Sequence, residues 1–230
     1  MSLLRFIKDQ DYDTEMIFVM LEGRSEQALL ESAKTMEITF NDAKKIAGGD
    51  EILAKTIANK KYAKVGDILN GVIKAYQRSW DDIDQKFFDR LIELTRFPLA
   101  HNNYECVVSL FHPGLSNWGG NKIVRIWDKD AKEQRRITAH ELIIAHFFSL
   151  MHKKYPEIDD QKIWSLAEVY AFAVTGLDPV VKDFWPWDKT GAYTDHNYPE
   201  LVRLQDHLTP HFANIDVFIE KGLAFYRNEK

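Results

Sequence analysis

The chain has 230 residues, 45% hydrophobic and 28% charged, with 30 basic and 35 acidic side chains and a net charge of −5. That composition fits a globular fold with a sizeable core, and the acidic balance without a long basic tract argues against a nucleic-acid partner. One cysteine, Cys106, leaves no internal disulfide, and no apolar run reaches the roughly 18 residues of a membrane span, so a cytoplasmic protein without a membrane partner is expected. The opening MSLLRFIKDQDYD turns acidic too early for a secretory signal.

In chain order, the first 80 residues read as short helices: Arg24 to Lys34, then Phe40 to Ile46 with Asn41 as its cap and Gly48-Gly49 as its stop. Asp50 to Ala58 and Val65 to Tyr76 continue the pattern. Ser79 then reads as the cap of a stronger helix, with Asp81 and Asp82 in its first turn and an apolar stripe of Ile83, Phe87, Phe88, Leu91 and Leu94. Tyr104 to Phe111 and Lys122 to Trp127 are rich in β-branched and aromatic residues and read as strands. Pro113-Gly114 and Gly119-Gly120 mark the loop between them. A hairpin pairing of these two strands is expected.

Lys132 to Lys153 is the dominant helix, apolar around most of its circumference from Ile137 to Met151 and therefore buried. Gln161 to Thr175 is the next helix. A Trp- and Tyr-rich loop follows, then two terminal helices, Glu200 to Leu208 and Ile215 to Tyr226. No linker forces a division. A single domain over 1–230 is expected, with a helical N-terminal lobe (1–100), a core (101–176) and C-terminal loops and helices (177–230).

Helical geometry singles out His140. Ile143, Ile144, Phe147 and Phe148 share its stripe, so an imidazole projects from an apolar face with Glu141 beside it, turned by about 100°. Glu168 projects in the same way from the following helix, among Trp164, Ala171 and Phe172. Ionisable groups on two successive buried faces are costly unless they find partners, so the two helices are expected to bring theirs together.

Thr138-Ala-His140-Glu141-Leu-Ile-Ile144-Ala-His146 resembles the His-Glu-x-x-His helix of the zincins. Ser165-Leu-Ala-Glu168-Val-Tyr-Ala171 resembles the downstream glutamate helix of their gluzincin branch. The likeness covers about Tyr104 to Gly176. It implies a predominantly helical α+β fold, with a zincin-like core in which a small sheet packs on the buried helix. It also implies zinc as cofactor, His140 and Glu168 as metal ligands, and Glu141 as the general base that activates a metal-bound water. The second histidine of the motif falls on Ile144, which cannot bind a metal, so the motif is degenerate. His146 is the substitute candidate, although about 120° separates it from His140 around the helix. Tyr193 and His196, in the late loop, are candidates for stabilising the oxyanion.

Two functions follow from the resemblance. One is a metallopeptidase-like protein, catalytically impaired or inactive as a zinc-dependent peptidase, with a peptide lying along the strand near Lys122 to Trp127. The alternative is a non-catalytic module that binds a peptide or protein partner on a zincin-like scaffold. Oligomeric state is not specified by the sequence. Cys106 reads as a small core residue, His112 as a loop residue, and Arg135-Arg136 as a solvated helix end.

Overall fold

Four residues near the N-terminus, Leu4–Ile7, form strand β1, with Leu4 and Phe6 buried and Arg5 exposed between them. So short a segment, carrying a charge, gives little signal against the helices that follow it. The computed structural model describes residues 2–189, 198 and 201–228.

Helices α1 (Gln10–Leu21), α2 (Glu26–Met36), α3 (Phe40–Ala47) and α4 (Glu51–Asp81) come next. Each begins at a side chain that accepts an orphan N–H of the first turn: Asp9, Ser25, Thr39 and Asp50. The cap of α3 is thus Thr39, not Asn41. The two helices expected over 50–76 are one helix of 31 residues, because buried Ala58, Tyr62 and Val65 carry the apolar stripe across the lysine-rich middle. Ser79 lies inside α4 rather than capping a new helix, and α5 (Asp84–Thr95) starts later.

Strands β2 (Tyr104–Ser109), β3 (Gly114–Ser116) and β4 (Lys122–Ile126) complete a four-stranded sheet in the order β1-β2-β4-β3. The expected hairpin between 104–111 and 122–127 is not formed, since β2 and β4 pair in parallel, Cys106 opposite Ile123. Both strands are buried almost continuously, as suits the interior of a parallel sheet. The hairpin lies instead between β3 and β4, with Gly114 opposite Arg125. It turns through Gly119, whose φ of +83° is accessible to glycine without a Cβ clash. Strand β4 therefore has neighbours on both sides and no edge to offer a peptide; β3 is the edge strand beside it.

After the sheet come α6 (Gln134–Lys154) and α7 (Asp160–Leu177), then α8 (Pro179–Lys182), α9 (Val202–Leu208) and α10 (Ile215–Asn228). Helix α6 packs against β3, β4 and α7, while α1 and α4 pack on the β1–β2 side of the sheet. The fold is α+β and mainly helical, as expected. Its buried apolar residues run together from Leu4 through Trp80 and Phe147 to Phe218, so the first hundred residues share one core with the sheet. Arg135 and Arg136 are not a solvated end: Arg135 bonds Ser79 and Asp82, and Arg136 bonds Asp188 at 2.8 Å. Among the described residues, no helix is long and apolar enough to cross a membrane.

Candidate functional site

Helix α6 supplies two neighbouring ionisable side chains that point different ways. His140 faces α7. Its Nε2 lies 3.1 Å from Oε2 of Glu168, and its ring meets Phe172 edge-on at 4.7 Å. Both residues of the pair are at least nine-tenths buried. A carboxylate only accepts, so Nε2 donates its proton to Glu168. Nδ1 of His140 is left buried without a hydrogen-bond partner among the described residues. The two groups expected to meet do meet.

Glu141, the next residue, faces the sheet. Its Oε1 lies 3.7 Å from Nη1 of Arg125 on β4, and its side chain is 12% exposed against 5% for Arg125. Burial pushes the Glu141 carboxyl above its ordinary range, with the His140 and Arg125 charges opposing that shift. Burial likewise lowers the Arg125 guanidinium, against the charge of Glu141. Arg125 Nε donates to Gln134 Oε1 at 2.8 Å, and Ser116 on β3 donates to the Glu141 backbone carbonyl at 3.0 Å.

The remaining candidates go elsewhere. His146 points to α5, where its Nε2 lies 2.9 Å from Thr95 Oγ1 and its ring packs on Phe97. The Thr95 hydroxyl already donates to Leu91 O, so Nε2 of His146 is the donor and Nδ1 is a buried lone pair without a partner among the described residues. Burial lowers this imidazole to about 4. It is a packed core histidine, and as a zinc ligand it is displaced from His140 and Glu168 by the helical rotation that separates positions 140 and 146. Tyr193 and His196 lie outside the described residues.

A catalytic zinc takes three protein ligands. His140 and Glu168 would be two, but the position one turn after His140 holds Ile144, itself 2% exposed. Among the described residues, no group of three or more His, Cys, Asp and Glu side chains is placed to hold a metal. The described donors therefore do not fit a zinc centre.

Arg125, Gly114 and Ser116 are the site residues that sequence reading missed. Arg125 did leave a signal. It falls two positions after Ile123, on the same face of the strand, where the pattern asks for another apolar residue. His112, read as a loop residue, is buried; its Nδ1 accepts the Gly114 N–H at 3.2 Å, and burial lowers its imidazole to about 4. Cys106 is fully buried and its thiol is pushed up by burial, which suits the core role expected of it.

Comparison of the chain with family models, with curated proteins and with solved structures found no match.

Proposed function

We propose that this chain is a metallopeptidase-like protein of the zincin type, catalytically impaired, that binds an extended peptide or a protein segment. One observation carries the reading. Two consecutive helices turn His140 and Glu168 toward each other, 3.1 Å apart, where the resemblance implies a first and a last zinc ligand. The order of elements supports it as well: an antiparallel edge strand, the strand beside it, the His-Glu helix and then the glutamate helix.

Of the two forms of this reading, the non-catalytic one is favoured by Ile144 and by Arg125. The first removes a ligand and the second occupies the carboxylate that would serve as base. Peptide binding would use β3, whose bonds to β4 are made around Leu115, leaving the Gly114 carbonyl and the backbone groups of Ser116 turned away from β4, while the Gly114 N–H is taken by His112.

Metal content of protein purified without chelator or affinity metal tests this, with His140→Ala beside it. The non-catalytic form expects far less than one zinc per chain in both proteins. About one zinc per chain, lost in His140→Ala, would restore the hydrolytic form and require a further ligand from beyond the described residues.

A further inference from the structure

Buried guanidinium groups are tolerated when their five N–H donors find acceptors. Arg125 is 4% exposed, yet among the described residues its hydrogen bonding is confined to one neutral acceptor, Gln134 Oε1, through Nε. The other end of the group is left to Glu141 at 3.7 Å. Glu141 is also the carboxylate whose charge reaches Arg125; Cys106, Tyr76 and His112 are the other titratable groups that face it, and burial keeps all three neutral at ordinary pH. The pair thus forms a couple, and the charge of the neighbouring His140 also favours the Glu141 carboxylate.

Strand β3 lies directly over this couple. Gly114 is paired with Arg125, and a Cβ at that position would overlap Nη1 and come within 3.0 Å of Glu141 Oε1. One pleat further on, Ser116 bonds the carbonyl of Glu141. The edge strand is therefore seated on Glu141 at two points, through the glycine over its carboxylate and the serine on its backbone.

We infer that Arg125 is a positioning residue that engages Glu141 as a fixed counter-ion, so that this glutamate anchors the β3–β4 hairpin to α6 instead of serving as a base. The functional meaning rests on the proposed zincin-type reading, but the latch itself does not. Glycine at position 114 leaves room for the couple, because a side chain there would displace the guanidinium. A peptide added to β3 would then meet a strand already fixed from beneath, with its register set by Gly114 and Ser116.

The test is a set of variants compared by urea unfolding: Arg125→Met, Arg125→Lys, Glu141→Gln, the Arg125→Met/Glu141→Gln double, and Gly114→Ala alone and with Arg125→Met. Each single loss of charge should lower the midpoint, because it leaves the other buried group without this ion partner. The double variant should lose clearly less than the sum of the two. Arg125→Lys, which keeps the charge, should recover part of the Arg125→Met loss. Gly114→Ala should be costly in the wild type and much less so once Arg125→Met has removed the guanidinium it would strike. Additive losses, no recovery with lysine, and an undiminished Gly114→Ala cost would overturn the latch. None of these readings requires metal, so they stand apart from any result on zinc.

Discussion

Asp13 on α1 accepts the backbone N–H of Leu110 at 2.9 Å, joining positions 97 residues apart. The same carboxylate takes the Tyr62 hydroxyl at 2.9 Å and the Ser109 hydroxyl, and Ser109 Oγ in turn accepts the N–H groups of Phe111 and His112. Successive amide groups after β2 are thus gathered around one fully buried acid, which fixes the loop that leads into β3. Burial raises the Asp13 carboxyl, against the pull of these donors.

Removing that acid should be expensive. Asp13→Ala leaves buried donors without acceptors, and a loss of about 3 kcal/mol is expected from that number of unmet groups. Equilibrium urea unfolding measures it. A loss under about 0.5 kcal/mol, typical of an exposed site, would show that the loop does not depend on Asp13.

The outer edge of β1 is closed by a side chain. Gln77 Oε1 accepts the Phe6 N–H at 2.9 Å, and its Nε2 donates to Leu4 O at 3.0 Å, as a neighbouring strand would. Gln77→Met keeps the length of the side chain and removes both bonds. It should cost roughly 2 kcal/mol and expose a strand edge that promotes self-association. Urea unfolding and sedimentation velocity check the two effects. A monomer of unchanged stability would count against the edge-closing role.

His146 sets a pH dependence. Its imidazole titrates near 6.5 when exposed and at about 4 in the fold. Between those values the unfolded chain takes up a proton that the folded chain refuses. This residue's contribution is complete above pH 6.5 and falls as pH drops toward 4, by up to about 1.4 kcal/mol per unit. His112, lowered to about 4, acts in the same direction, while the raised carboxyls of Asp13 and Glu141 act in the opposite one. Comparison with His146→Gln, which keeps a donor for Thr95, isolates the residue. The wild type should lose stability more steeply from pH 6.5 to 4, and identical slopes would rule His146 out as the source.

Much of this arrangement is legible in the sequence where periodicity is long. The buried stretch of α6 and the stripe carrying Glu168 on α7 announce themselves over many residues, so their meeting could be expected from spacing alone. Strand partners are another matter. The β-rich segments 104–111 and 122–127 look the same in parallel or antiparallel pairing, and β1 and β3 are too short for a pattern to distinguish them from loop. Arg125 and Glu141 show the same limit: neither position reveals the other, because the contact depends on β4 lying beside α6 and on Gly114 leaving room above it. The N-terminal segment, read as a helical lobe, also supplies an edge strand and, through Asp13, the anchor of the loop before β3.

The most direct test of the account is to restore the ligand position that the sequence lacks. Ile144→His places an imidazole one turn after His140, on the stripe that faces Glu168. Zinc titration by calorimetry, with competition by a chromophoric chelator, should show about one tight site per chain in Ile144→His. That site should be absent in the wild type and lost again when His140→Ala is added. A folded Ile144→His protein that gains no zinc site would contradict the claim that His140 and Glu168 occupy ligand positions of a zincin-type centre.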